Sequence, residues 1–211
     1  VLHISDLSTA KYGSEEEIEA AKAAAGITYG KWFNDKVVFG YNYVDGNTIL
    51  KEGEEASHGM HVTGIATGNP TKALGDEYIY GVAPEAQVIF FRVFSDLKSY
   101  TGPALYVRAI EDAVKLGADS INLSLGSTTG SAVNMDETLI AAIKAAQKAG
   151  VNVAISAGND GVFGDSINPS AENPDYGLVG NPSTTQDVIS VASYNNSITR
   201  SNVVTFVGNG R

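Results

Sequence analysis

The chain has 211 residues, of which 43% are hydrophobic and 18% charged, a composition typical of one folded domain. Its 24 acidic and 14 basic residues give a formal net charge of -10, which argues against binding to nucleic acids or anionic membranes. The absence of cysteine excludes disulfide bonds and thiolate metal sites. No apolar run reaches the roughly 18 residues that a membrane-spanning helix needs.

The first predicted elements are a helix and a strand. The segment Ser14–Glu17 has the pattern of a capping box and predicts the start of an alanine-rich helix that Gly26 ends, with an acidic face in solvent. Val37–Val44 has the apolar and aromatic content of a strand, in which Gly40 indicates a bulge or a close backbone approach. A polar, acid-rich loop at 45–56 follows.

The next helix begins with a histidine. The segment Ser57–Gly68 consists mostly of small and apolar residues, and a helix that is apolar on almost every side is expected to be buried. His58 would then lie where the interior of the domain meets a cleft. The partial positive charge at a helix N-terminus disfavours imidazolium, so the ring stays able to accept a proton. These features make His58 a candidate general base, and Gly59 leaves space beside it.

Strands and helices alternate through the rest of the chain. Apolar strands are predicted at Gln87–Phe94, Asp119–Ser124 and Val151–Ser156, and amphipathic helices at Pro103–Leu116 and Asn134–Ala149, each ended by a glycine. This alternation predicts an α/β fold with a parallel sheet and helices on both faces. In such sheets, ligands bind beyond the carboxyl ends of the strands.

Two of the strands end in small residues, at Ser124–Ser127 and Ser156–Asn159. Small residues there leave room for an extended peptide to pair with the chain. Asn-Asp-Gly at 159–161 is also favourable turn chemistry, so on the residues alone a turn is the simpler role for Asn159.

Four motifs together resemble the subtilisin-like serine peptidases. They are Ser-His-Gly-Met-His-Val-Thr-Gly at 57–64, Gly-Val-Ala-Pro-Glu-Ala at 81–86, Ile-Asn-Leu-Ser-Leu-Gly at 121–126 and Ser-Ala-Gly-Asn at 156–159. Each motif is weak alone, but their order and spacing are specific. The sequences at 30–38 and 173–180 are similar to the cell-envelope proteinase branch of the family.

This resemblance covers nearly the whole chain, and it implies an activity and a location. We expect a subtilisin-like α/β fold and a serine endopeptidase that hydrolyses peptide bonds in extracellular proteins. We also expect secretion and attachment to the bacterial cell wall through other regions, with a connection to virulence. No cofactor is expected for the chemistry. Acidic loops could bind structural calcium, but the sequence identifies no metal ligands.

The resemblance also implies a role for each matching residue. His58 matches the general base that takes the proton of a nucleophilic serine and returns it to the leaving amine. Asn159 matches the donor that stabilises the oxyanion. The residues that match the substrate-binding segments are Ser124, Leu125 and Gly126 on one side, Ser99, Tyr100 and Thr101 on the opposite side, and Ala157 and Gly158 at the pocket for the side chain before the scissile bond.

Two catalytic motifs of the family are missing from the sequence. The strand end Asp-Thr-Gly or Asp-Ser-Gly does not occur, and Asp6 resembles the segment just after it. The nucleophile motif Gly-Thr-Ser is also absent, because Ser183 precedes an apolar strand and not a helix. We therefore expect residues 1–211 to be the central part of one peptidase domain, incomplete at both ends. The aspartate strand, a protease-associated insertion and the nucleophile segment would lie elsewhere.

Other interpretations stay open. The chain could be a non-catalytic fragment of a processed or truncated subtilase that binds a peptide or a partner. It could also dock to companion fragments of the same precursor that supply the missing Asp and Ser. His58 and His61 have a spacing that could ligate zinc, but no cysteine or further partner accompanies them, so we expect His61 to be buried and hydrogen-bonded.

Overall fold

The computed structural model describes residues 7–51, 57–70, 80–95, 101–127, 130–131, 133, 135–159 and 178–194. After a 3₁₀ turn at Leu7–Thr9, these ranges contain four α-helices and five β-strands. The elements are α1 (Glu15–Ala25), β1 (Val37–Asn42), α2 (His58–Thr67), β2 (Val88–Arg92), α3 (Pro103–Lys115), β3 (Ser120–Leu123), α4 (Glu137–Lys148), β4 (Asn152–Ser156) and β5 (Ile189–Val191). Every predicted helix and strand up to β4 is confirmed.

The ends of the helices follow local sequence. The predicted capping box of α1 is not formed: the Ser14 side chain does not cap the backbone, and the Glu17 carboxylate accepts a 2.7 Å hydrogen bond from the N–H of Gly13, one residue before Ser14. Gly26 ends α1 in the left-handed region, with φ of 70°. Helix α4 begins at Glu137, later than predicted, because the Asp136 carboxylate caps the N–H groups of the first turn.

The strands pair in two sheets, and every pair is parallel, as the alternation predicted. β1 pairs with β2, and β3, β4 and β5 form a second sheet in that order. The pairing register between β1 and β2 shifts between Val37 and Phe39. The start of β1 forms a turn there, because the Asn34 side-chain oxygen accepts hydrogen bonds from the Lys36 and Val37 N–H groups. Gly40 is instead a site of close approach, because a Cβ there would lie 2.4 Å from Leu50 Cδ1.

Each sheet has its own apolar core, and α3 contributes to both. Residues of α3, α4, β3 and β4 form one cluster, in which Ile143 and Ile155 are fully buried. The other cluster joins α1 to β1 and contains Ile18 and Phe39. Leu116, at the C-terminus of α3, packs in this second cluster.

The segment after the 3₁₀ turn holds the amino ends of β2 and β3 together. Gln87, just before β2, exchanges hydrogen bonds of 2.7 and 3.0 Å with the Tyr12 backbone. The Tyr12 hydroxyl donates to the Leu116 carbonyl at 2.7 Å, and Lys11 Nζ donates to the Gly117 carbonyl, three residues before β3. The two strands therefore start at the same end of the molecule.

A buried carboxylate also connects α3 to the first half of the chain. Asp112, which is 3% exposed, accepts a 2.6 Å hydrogen bond from the Tyr43 hydroxyl and another from the Tyr29 hydroxyl. Burial raises the pKa of Tyr43 well above its ordinary value, and the hydrogen bond to Asp112 raises it further. The hydroxyls are thereby kept protonated, as donors to the carboxylate.

The prediction that α2 is buried is wrong. None of its residues is buried, and Met60 and Ile65 are 60% and 56% exposed. Its carboxyl half is attached through backbone hydrogen bonds, from Val82 N–H to the Ile65 carbonyl and from Ala83 N–H to the Ala66 carbonyl. One side of the helix, which carries Val62, Thr63 and Ala66, faces a cavity and not a packed layer, whereas Met60 and Ile65 are not among the residues that line this cavity. His61, predicted to be buried, is likewise exposed.

Among the helices that the structure describes, none combines the length and apolar character needed to cross a membrane.

Candidate functional site

A cavity of about 650 Å³ lies between the two sheets. β2 and β3 line it along their whole length, and α2 and α3 supply further lining residues. His58, Ser124 and Leu125 all belong to this lining. The structure therefore brings the candidate base to the same cavity as two of the three residues predicted to pair with substrate after β3.

His58 is the first residue of α2, and its side chain is exposed. Ser57 occupies the capping position but its side chain makes no capping hydrogen bond, so the N–H groups of the first turn keep their partial positive charge. His58 is therefore accessible from the cavity, at the uncapped end of the helix.

Ser124, Leu125 and Gly126 continue directly from β3. The Asn122 side-chain amide donates to Ser124 Oγ at 3.0 Å, and the Leu125 carbonyl accepts from Ser156 Oγ at 3.3 Å. Gly126 is exposed, and a Cβ there would lie 2.7 Å from the Asn181 carbonyl oxygen. The segment is therefore held closely between the ends of β3 and β4 and the chain at Asn181.

Ala157, Gly158 and Asn159 leave the carboxyl end of β4. The Ala157 carbonyl accepts from Gly180 N–H at 2.8 Å, while its own N–H donates to the Val191 carbonyl at 2.8 Å. Gly158 has φ of 109°, which a side chain would strain, and both Gly158 and Asn159 are exposed. These three residues do not line the cavity with His58, but the Ser156 hydrogen bond joins their strand to Leu125.

The opposite substrate edge is only partly described. Thr101 is half-buried and precedes Gly102, the N-cap of α3. Ser99 and Tyr100 lie outside the described residues, as does Asp6. The pairing of Ser99, Tyr100 and Thr101 with substrate stays a prediction.

Ser183 has the contacts of a structural residue. It is 3% exposed, and its Oγ lies 2.6 Å from Ser190 Oγ and 3.3 Å from the Ile155 carbonyl that accepts from it. A hydroxyl enclosed in this way is not presented to a substrate, which agrees with the absence of the nucleophile motif around it.

Asn181 is a positioning residue that the sequence analysis missed. Its side-chain oxygen accepts from Ser131 N–H at 3.0 Å and from Thr184 Oγ1 at 2.5 Å, and its backbone carbonyl accepts from Ser127 N–H at 2.9 Å. Asn181 thereby fixes the chain beyond Gly126. The one local signal that points to Asn181 is the dipeptide Asn181-Pro182, which is typical of turns and was not used in the prediction.

Within the described ranges, no three His, Cys, Asp or Glu side chains come close enough together to hold a metal ion. His58 and His61 thus have no third ligand in that part of the chain, and the zinc alternative has no support there. Structural calcium, for which the sequence named no ligand, stays a prediction.

Comparison with known sequences agrees with the motif-based resemblance. The profile described as "Subtilase family" matches residues 23–210. A C5a peptidase of Streptococcus pyogenes serotype M3 is 40% identical over 196 residues, which are 90% of this chain and 16% of that protein. A PII-type proteinase of Lacticaseibacillus paracasei is 39% identical over 208 residues, 95% of this chain and 10% of that protein. The chain thus spans a sixth or less of the length of these curated relatives.

Solved structures confirm the predicted fold class. The prenylagaramide maturation protease PagA superposes with a TM-score of 0.51 at 25% identity, covering 72% of this chain and 44% of that chain. A mutant of the PatA protease domain gives a TM-score of 0.56 at 24% identity, covering 72% of this chain and 48% of that chain. The α/β architecture predicted from alternating strands and helices is therefore that of subtilisin-like proteases.

Proposed function

Because this chain belongs to the subtilase family, we propose that it forms part of a serine endopeptidase that hydrolyses peptide bonds in extracellular proteins. One observation carries the proposal. His58 lines the same cavity as Ser124 and Leu125, at the carboxyl end of β3, where parallel α/β folds bind their ligands. A base at that position is placed to act on a peptide that lies along the strand end.

In this mechanism His58 accepts the proton of the attacking serine hydroxyl and then donates it to the leaving amine. The Asn159 side-chain amide donates to the oxyanion of the tetrahedral intermediate. Its exposed position directly after β4 supports this role, because it leaves the side-chain amide accessible to a substrate. Loss of such a donor lowers the rate roughly a hundredfold to a thousandfold in related chemistry.

Substrate backbone would pair with Ser124, Leu125 and Gly126, and the side chain before the scissile bond would lie against Ala157 and Gly158. The 3.3 Å hydrogen bond from Ser156 Oγ to the Leu125 carbonyl supports a joint role, because it couples the two loops. Thr101, with Ser99 and Tyr100, would form the facing edge. This arrangement gives a peptide main-chain partners on two sides.

The nucleophile in this proposal is a serine outside the described residues, since Ser183 is buried and hydrogen-bonded. The aspartate that orients His58 would come from outside them as well. We place the protein outside the cell and attached to the wall, which its similarity to the C5a peptidase and to the PII-type and PIII-type proteinases supports. The proposal also covers the case in which companion fragments of one precursor supply the missing Asp and Ser.

The test combines intact mass, subunit composition and labelling with a fluorophosphonate probe on the protein purified from its source. We expect a labelled serine outside residues 1–211, and we expect His58→Ala to lower the hydrolysis rate about 10⁴-fold or more. His61→Ala is the matched control: it is an exposed histidine on the same helix that does not line the cavity, and its activity should be unchanged. Wild-type hydrolysis by the His58→Ala protein would contradict the proposal. A lone, unlabelled chain would favour the non-catalytic binding fragment.

A further inference from the structure

Residues 81–86 form a turn that holds the carboxyl-terminal half of α2, and we call this turn the bracket. The N–H groups of Gly81, Val82 and Ala83 donate hydrogen bonds of 2.8, 3.0 and 2.8 Å, in that order, to the carbonyls of Gly68, Ile65 and Ala66. The last carbonyls of a helix have no donor within the helix. The bracket therefore supplies the donors that the end of α2 cannot supply for itself.

Helix α2 depends on the bracket because none of its own side chains is buried. The contact is close at Gly81, where a Cβ would lie 2.3 Å from the Gly68 backbone nitrogen. The side-chain amide of the buried Asn69 adds a 2.9 Å hydrogen bond to the Glu85 carboxylate. The helix that begins with His58 is therefore held at its carboxyl end, mainly through backbone groups.

Lys36 anchors the bracket to the start of β1, which it directly precedes. It is 0% exposed, and its ammonium donates to the Pro84 carbonyl at 2.7 Å and to the Ala86 carbonyl. Burial lowers the pKa of Lys36, while the negative charges of Glu85 and Asp35 act in the opposite direction. A buried ammonium is costly unless it is hydrogen-bonded, and here two carbonyls of the bracket satisfy it.

The length of α2 makes the place of His58 sensitive to the bracket. A helix rises about 1.5 Å per residue, so His58 lies about 12 Å from Ala66 along the axis. A tilt of about 5° at the carboxyl end would then move the histidine by about 1 Å. Displacement of a catalytic group by about 1 Å can lower a rate roughly a hundredfold, even when the mutation is far from the chemistry.

From these contacts we propose that Lys36 is a positioning residue: it fixes the bracket, and through the bracket it fixes the angle of α2 and the place of His58. Its effect on hydrolysis rests on the proposed function of His58 as the general base. Its effect on the bracket depends on no activity. The two effects can therefore be measured separately.

The first measurement is amide hydrogen exchange by NMR on the 211-residue chain. Lys36→Met removes the ammonium and keeps an unbranched side chain, so we expect the N–H groups of Val82 and Ala83 to exchange at least about tenfold faster. Lys22→Met is the matched control. Lys22 is also buried, but its ammonium donates to the Gly30 carbonyl, between α1 and β1, so its loss should leave both amides unchanged.

Restoring the ammonium distinguishes its hydrogen bonds from general damage. The chain has no cysteine, so Lys36→Cys introduces a single thiol, which bromoethylamine alkylates in the unfolded chain to give a side chain that again ends in an ammonium. After refolding, exchange at Val82 and Ala83 should return to within about twofold of wild type. Slow exchange at the buried Ile155 shows that each variant is folded. If Lys36→Met does not fold, Lys36→Gln, which is one bond shorter but still polar, replaces it.

The second measurement is hydrolysis by the parent protein, with kcat expressed per serine that the fluorophosphonate probe labels. We expect Lys36→Met to lower kcat about tenfold to a hundredfold and to leave KM unchanged, because the base is displaced and the substrate-binding segments are not. A lysine that only stabilised the fold would change the labelled fraction and not kcat per labelled serine. Gly81→Ala, which pushes the bracket away from α2 and leaves Lys36 in place, should lower kcat in the same way.

The proposal is overturned by unchanged exchange at Val82 and Ala83 in Lys36→Met, or by an equal change in Lys22→Met. It is also overturned if the alkylated chain does not recover, or if exchange is faster while kcat stays at the wild-type value. Absence of hydrolysis by the wild-type protein would instead contradict the proposed function, and hydrogen exchange would still decide whether Lys36 holds the bracket.

Discussion

Helices α4 and α2 are both rich in apolar residues, yet α4 has buried side chains and α2 has none. α4 buries Leu139, Ala142, Ile143 and Ala146, spaced three or four residues apart, against β4 and α3. α2 is more uniformly apolar but buries none of its residues. The difference teaches that periodicity predicts burial better than composition does, because a stripe of apolar residues implies one neighbouring layer, whereas apolar residues on all sides require several.

The largest effect should come from removing core volume at α4. Ile143→Ala deletes buried methylene and methyl groups from a side chain that is 0% exposed, and we expect it to lower the free energy of unfolding by about 2–5 kcal/mol. Ile65→Ala on α2, where the side chain is 56% exposed, should cost less than about 0.5 kcal/mol. Urea denaturation measures both. Equal losses of unfolding free energy in the two variants would show that α2 is packed in solution, and would contradict the difference in burial between α4 and α2.

The next effect should come from the carboxylate of α3. Asp112→Ala removes the carboxylate that accepts from the Tyr29 and Tyr43 hydroxyls, and we expect a loss of about 1–3 kcal/mol for the buried Tyr43 hydroxyl and less for the half-buried Tyr29. Asp112→Asn keeps an oxygen that can accept and should cost less. Thr63→Val is the counterpart on α2, because the Thr63 hydroxyl donates to the Gly59 carbonyl within the same helix, and the substitution should be almost neutral. An Asn variant as unstable as the Ala variant would contradict this explanation.

Alkaline pH should weaken the connection that Asp112 makes between α3 and Tyr43. Burial raises the pKa of Tyr43 in the folded chain, so the unfolded chain loses this proton first, near pH 10. The stability from this group is therefore complete below that pH and falls above it, by about 1.4 kcal/mol per pH unit for one proton. Thermal melts from pH 8 to 11 measure this slope, and Tyr43→Phe should flatten it. If the stability of the Tyr43→Phe variant falls with pH as steeply as that of the wild type, then other groups cause the loss of stability at alkaline pH.

The smallest effect should appear at the helix caps. The Asp136 carboxylate accepts from the Thr138 hydroxyl and from the Leu139 and Thr138 N–H groups, which lowers its pKa, whereas Ser57 makes no capping bond at the start of α2. Asp136→Ala should lower the melting temperature modestly at neutral pH, and Ser57→Ala should leave it unchanged. The lowered pKa means that the cap contributes above the ordinary pKa of aspartate and is lost as pH falls through the folded value. The difference in melting temperature between the Asp136→Ala variant and the wild type should therefore vanish in acid.

Most of the fold could be predicted from the sequence because its signals are local. The stripe of Ala142, Ile143 and Ala146, the glycines at 26 and 117, and the apolar runs of β2 and β4 each act within a few residues. The division into two sheets could not be predicted, since apolar runs do not state which strands become neighbours. The exposure of α2 was missed for the same reason: burial of Val62 or Ile65 depends on segments far away in sequence.

The candidate site was predictable in part. The common cavity of His58, Ser124 and Leu125 follows from the rule that ligands bind at strand carboxyl ends, so spacing was informative. His58 was predicted to be a general base from its place at the start of an apolar helix, and again from the resemblance. The role of Asn159 came only from the resemblance, because nothing in an Asn-Asp-Gly turn specifies catalysis. Asn181 was missed because its importance depends on contacts to Ser127 and Ser131, which are about fifty residues earlier.

The hydrogen bond from Tyr12 to Leu116 has a consequence for the order of folding. The two residues are separated by 104 positions, and the Tyr12 contact with Gln87 spans 75. Contacts of such length form only after a large loop closes, and they slow folding more than they affect equilibrium stability. During synthesis the segment around Tyr12 must wait until α3 has emerged before it can settle. We therefore expect its docking to be among the last events as the nascent chain matures.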